Sequence, residues 1–265
     1  MKKIFYSIFI SMLFLTNLNA WVFKDFFAGT LDFTKNVVSN SNLSNDEIGI
    51  GLKDALNIGI KSAIDTLGKK DGFLKNKSVA IPLPENLLLI KSGLQKIGKE
   101  KYLNELIIAM NRSAEKAVPK TVEIFLNSIS KMEFKDVQKI LFGADNEATK
   151  YFKKTTKNDL IKTLTPIIKE SIAETEVVSY YNGIKSIYDS SKESLGISKV
   201  TNIISEFSSF IPKSLNFTDV DIEEFVVSKT MDGVFFMIEQ KEKELREKPA
   251  MRTTKALQKV FSELD

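Results

Sequence analysis

From Ser44 onward the apolar residues recur every three or four positions, and this period limits the fold more than any other feature of the chain. No stretch alternates with period two long enough to make a strand, and no repeat of fixed length is visible. Ser44 and Glu47 have capping-box spacing. Ile48, Leu52, Ala55, Leu56, Ala63, Ile64 and Leu67 follow on one face, and Gly68 supplies a stop. Asp71-Gly72-Phe73 and Ile81-Pro82-Leu83-Pro84 must be irregular, because each proline pushes its predecessor out of helical dihedrals.

Helices are expected next from Pro84-Glu85 to Gly98, from Lys101 to Ala117, and after Pro119. A short one from Asp136 to Phe142 closes at Gly143. Leu160, Ile161, Leu164, Ile168 and Ile172 then form a stripe, in which Pro166 predicts a kink or a break. Val177 to Tyr188 reads as another helix, and residues 189–216, rich in serine and broken by Gly196 and Pro212, as a poorly constrained insertion. Thr218 or Asp219 can cap a long late helix reaching Glu247, with a final short helix after Pro249. The expectation is one all-α domain over residues 44–265, about eight to ten helices around a central apolar C-terminal helix.

That late helix has hardly any polar face between Phe225 and Ile238, as expected of a helix packed on several sides. Asp232 is its anomaly. A carboxylate among core residues needs a partner or a proton, because an isolated buried charge is very costly.

The opening differs. Lys2 and Lys3, an apolar run from Ile4 to Leu15 and a small residue at Ala20 match a secretory signal over residues 1–20. The run falls short of the ~20 residues a membrane span needs. The expected address is therefore the periplasm, with no span after cleavage and with an aromatic segment over residues 21–43.

Composition then excludes much chemistry. The 265 residues contain no cysteine and no histidine, which removes disulfides, thiol nucleophiles, serine–histidine triads and the usual transition-metal ligand sets. No metal and no cofactor is expected. The formal charge is +4, two units of it from Lys2 and Lys3, too small a surplus for a nucleic-acid partner.

Arginine occurs only at Arg112, Arg246 and Arg252 in a lysine-rich chain, which marks places where a planar, multiply donating group is needed. Asp54, Asp71, Arg112, Glu115, Asp136, Asp232 and Arg252 could form a carboxylate–guanidinium cluster, either catalytic or joining helices. The joining role is the commoner one. Asp232, Glu115 and Asp136 are the expected partners of Arg112 and Arg252. Tyr151, Tyr180 and Tyr181 could line a ligand pocket, although aromatics at helical spacing usually fill cores. Asp219, Asp221, Glu223 and Glu224 lack the glycine and spacing of a calcium loop and read as a solvated helix start.

Several segments together resemble an exported bacterial family, domain of unknown function 4197. They are Gly51 to Leu56, Asp71 to Asn76, Ile81 to Pro84, Asn111 to Ala117, Ala148 to Phe152, Met231 to Phe235 and Pro249 to Thr254. The resemblance implies a helical fold and an envelope address, and supplies no activity. Relatives carry a lipoprotein cysteine that this chain lacks, and the serine-rich insertion is long for the family. Three function classes remain: an envelope interaction module, a carrier of an apolar or lipid ligand (19 phenylalanines suggest it), and a carboxylate hydrolase. The first is preferred, with an unknown envelope protein or an apolar ligand as partner.

Overall fold

Among the described residues the helical period is realised in nine α-helices. The computed structural model describes residues 44–89, 91–174, 177–194 and 221–247, and among these no strand occurs. Arg252, the signal and aromatic segments, the greater part of the insertion and the expected last helix lie outside the described residues.

Helix α1 (Asn45–Leu67) starts as its capping box requires. Glu47 N–H donates to the Ser44 hydroxyl, and the Ser44 N–H donates back to the Glu47 carboxylate. After α1 the chain turns through residues 68–84 and inserts Phe73, Val79, Ile81 and Leu83 into the core. Short helices α2 (Glu85–Leu89) and α3 (Lys91–Lys96) follow, and Gly98 at φ +68° ends α3 with a Schellman pair of hydrogen bonds. Helix α4 (Glu100–Ala117) passes through a 3₁₀ turn into α5 (Val122–Ser130), then α6 (Phe134–Phe142) and α7 (Glu147–Glu174). Helix α8 is Val177–Ser194 and α9 is Ile222–Glu247.

Helix α9 packs on α7, α1 and α4, while α4 also packs on α7 and α8. Phe125 stands edge-on to both Phe152 and Phe235, with centroids 5.7 and 6.2 Å apart. Phe73, Phe125 and Phe152 are fully buried, each worth roughly 1.5–3 kcal/mol of transfer free energy. Phe73 fits only because α9 carries glycine opposite it: a Cβ on Gly233 would lie 2.7 Å from the Phe73 ring.

Four expectations need correction. Of the kink or break expected at Pro166, the break does not occur: α7 continues through the proline, which lies on the exposed face while Leu164, Ile168 and Ile172 hold the helix to the core. Residues 189–194 continue α8, since serine weakens a helix without ending one. The cap of α9 is Asp221, whose carboxylate accepts the Glu224 N–H at 2.9 Å, in place of Thr218 or Asp219. Finally, α9 is not buried all round. Ser228, Asp232, Phe236 and Gln240 form an exposed edge, which releases Asp232 from the core.

Candidate functional site

The sequence-marked polar residues divide between two internal clusters and the surface. The first cluster sits on α4. The Glu115 side chain is buried, and its Oε1 accepts the N–H groups of Phe73 and Leu74 at 3.0 and 3.1 Å. Its Oε2 receives Arg112 Nη1 at 2.5 Å, and Arg112 Nη2 reaches Asp71 at 2.6 Å. Asp71, at φ 72°, stands in the left-handed region that aspartate tolerates better than most residues, and Lys75 holds its other oxygen at 2.9 Å. One turn back, Asn111 accepts the Ile81 N–H at 2.8 Å and donates to the Ile81 carbonyl at 3.0 Å. Asn111 and Glu115 thus satisfy backbone groups that the 68–84 segment cannot pair within itself, and Arg112 ties Glu115 to the Asp71 side chain of that segment.

The charges support one another. Hydrogen bonds from Lys75 and Arg112 hold the Asp71 carboxyl below its ordinary value. Burial alone would depress the Arg112 guanidinium, but its hydrogen bonds to Glu115 and Asp71 more than offset that and raise it.

In the second cluster only Arg246 is marked by sequence reasoning, as one of the three arginines. Glu242 on α9 is buried and accepts the Ala148 and Thr149 N–H groups at 2.8 and 2.9 Å, and the Thr149 hydroxyl at 2.8 Å. Arg246, one turn on, donates to Glu242 at 3.2 Å and to the Ile140 carbonyl at 2.6 Å. The only sequence signal was the i, i+4 spacing of Glu242 and Arg246 with one of three arginines, which resembles any surface pair.

Asp136 and Asp232 do not join Arg112. Asp136 completes the capping box of α6 by accepting the Glu133 N–H at 3.1 Å, a local role that uses its carboxylate at the surface. The Asp232 side chain is 68% exposed and faces Lys229 at 3.5 Å, so it needs no buried partner. Asp54 is exposed on α1. Of the tyrosines, Tyr151 lines one of the two clefts at α7 and Tyr180 and Tyr181 line neither. Tyr151 donates to the Ser128 carbonyl at 3.0 Å, and burial pushes its phenol above the ordinary value. Tyr180 packs edge-on against Tyr102, and burial likewise raises Tyr181.

Two open clefts flank α7. One, about 450 Å³ between α5, α6 and α7, is lined by Tyr151, Asp136, Asp159 and four lysines. Two of these, Lys139 and Lys150, already reach Glu147, at 3.5 and 2.8 Å. The other is a groove of about 790 Å³ between α7 and α9. Val227, Met231 and Phe235 form its floor, Lys153 and Lys157 one rim, and Asp221, Glu224 and Asp232 the opposite rim. Among the described residues no group of three carboxylates is placed to hold a metal ion, and no helix is long and apolar enough to cross a membrane.

No curated protein and no solved structure matches the chain. A family model does, over residues 42–262, and it spans both internal clusters and the groove. The chain belongs to that family, described as protein of unknown function (DUF4197).

Proposed function

We propose that this protein is exported to the periplasm and acts there as a non-enzymatic interaction module of the cell envelope. The observation that carries the reading is where the polar chemistry goes. Glu115, Arg112, Glu242 and Arg246 direct their hydrogen bonds into the protein's own backbone and side chains, whereas the α7–α9 groove presents charged rims and the exposed Ile161 above a floor of largely buried apolar side chains. A binding surface needs no more than that. The apolar-carrier reading has less support, since Phe73, Phe125 and Phe152 fill the core and the clefts at α7 are open.

The test places a photo-crosslinking residue at Ser228, on the exposed edge of the groove, with a control at exposed Asp54 on α1. Protein from the periplasmic fraction should begin at Trp21 and should form a discrete adduct from Ser228 alone. The adduct should disappear with Ile161→Asp, which charges the groove wall. Retention of Met1, or equal labelling from both positions, would remove the proposal.

One observation favours a second reading, a carboxylate hydrolase: Glu224 and Asp232 line the same groove. Both are exposed, however, and a carboxyl group acting as an acid needs an environment that separates it from its partner. Turnover of chromogenic esters or glycosides that is lost in both Glu224→Gln and Asp232→Asn would establish this reading instead.

A further inference from the structure

The α7–α9 pair is covered on its inner side by α1, α4 and α5. Its outer side carries the groove. On the floor Val227, Met231 and Phe235 follow at i, i+4 and i+8, and Ile161 of α7, 39% exposed, adds apolar wall. The walls differ in sign. Lys153 and Lys157, one turn apart on α7, stand across the groove from the Asp232 end of α9, Glu224 lies about two turns further along the same acidic rim, and among the described residues neither lysine forms an ion pair across the groove. Lys153 lies 5.7 Å over the Phe235 ring instead. From Asp221 to Phe235 the groove runs along about four helical turns, or ~20 Å.

We propose that this groove seats an amphipathic α-helix of a partner protein, with its apolar stripe on the floor, an acidic flank against Lys153 and Lys157, and a basic flank against Glu224 and Asp232. The inference rests on the interaction-module reading and names the partner's chemistry. A groove between two packed helices is the natural seat of a third, whose side-chain ridge fills it. The two rims select among occupants. An acyl chain brings no charge for either rim, and a second copy of this concave face would leave the groove empty. A helix with flanks of opposite sign satisfies both walls at once, and like charge against either wall would be rejected.

Three dye-labelled 18-residue helical peptides with the same leucine–alanine stripe test this against the chain purified from the envelope, by fluorescence anisotropy. One carries glutamate on one flank and lysine on the other, one glutamate on both, and one lysine on both. The mixed peptide should bind at least ~10-fold tighter than either of the others. In Lys153→Glu/Lys157→Glu both rims are acidic, and the preference should pass to the all-lysine peptide, a gain that misfolding cannot produce. Ile161→Asp should weaken all three. Affinities within ~2-fold of one another, or a preference unchanged by the charge reversal, would overturn the proposal. A Ser228 adduct that persists while the peptides fail sinks the helix assignment and keeps the interaction module, whereas loss of both sinks both. A Ser228 adduct that maps to this chain's own residues would also overturn the partner assignment.

Discussion

Glu115 and Glu242 are two buried carboxylates with the same task and different architecture. Each accepts two backbone N–H groups from a distant part of the chain and each has an arginine on its own helix. Glu115 serves a non-helical turn, and a single oxygen takes both N–H groups. Glu242 serves the first turn of α7, where Ala148 and Thr149 N–H groups have no intrahelical acceptor, and each oxygen takes one. In effect α9 supplies the N-cap of α7 from outside, helped by the positive end of the helix dipole. Arg246 then extends the cluster to the Ile140 carbonyl at the end of α6, so one Glu–Arg pair joins the end of one helix to the start of the next. Arg112 instead reaches Asp71 and tightens the turn that delivers Phe73 to the core. A carboxylate can therefore stitch either a loop or a helix terminus, and the division of its oxygens shows which.

The largest effects should come from removing either carboxylate. Glu115→Ala and Glu242→Ala should each cost about 3–5 kcal/mol in denaturant unfolding, since each leaves two backbone N–H donors without an acceptor and takes one of its partners from an arginine. The glutamine variants separate the two sites. In Glu115→Gln the amide oxygen can keep both N–H bonds while the NH₂ faces Arg112, which is 27% exposed and free to shift. In Glu242→Gln the NH₂ must point at a buried N–H. Glu242→Gln should therefore be the less stable by about 1–3 kcal/mol, and equal stability would mean the oxygens are not divided as described.

A smaller effect probes the reach of each cluster. Gly233→Ala presses on Phe73, whose N–H Glu115 holds, and does not touch Ala148 or Thr149. Combined with Glu115→Gln it should depart from additivity by about 0.5–3 kcal/mol, and combined with Glu242→Gln it should add within ~0.5 kcal/mol.

Acid should distinguish the first cluster more gently. The Asp71 carboxyl is held below its ordinary 3.8 when folded, so its contribution is complete above that value and is lost as pH falls through the lowered one. The stability difference between wild type and Asp71→Asn should be constant near neutrality and should shrink below about pH 4. A difference that grows in acid would reverse the assignment. The smallest effect belongs to Asp232. Asp232→Ala should stay within about ±0.5 kcal/mol of wild type, as expected for an exposed side chain.

What was readable in advance was mostly local. The Ser44–Glu47 box, the Gly98 stop and the inward face of α1 depend on residues three or four apart, and sequence spacing fixes those distances once a helix forms. Of the three carboxylates expected as partners of Arg112 and Arg252, the one that does meet Arg112 is Glu115, three residues away on the same helix. Asp232 was misplaced because hydrophobic pattern alone cannot locate the edge of a nearly apolar helix, and four-residue spacing put Ser228, Asp232 and Phe236 together on the open side.

The amino-acid sequence by itself determined that this protein is helical, where many of its helices start and stop, and that its chemistry excludes thiols and imidazoles. Tertiary structure alone decided that Glu115 meets Phe73, 42 residues away, that Glu242 meets Ala148, 94 away, and that lysines of α7 stand across a groove from carboxylates of α9. Backbone preference acts over a few residues, whereas a buried N–H accepts any oxygen that packing brings within reach. The choice among distant carboxylates is made by the way the helices stack.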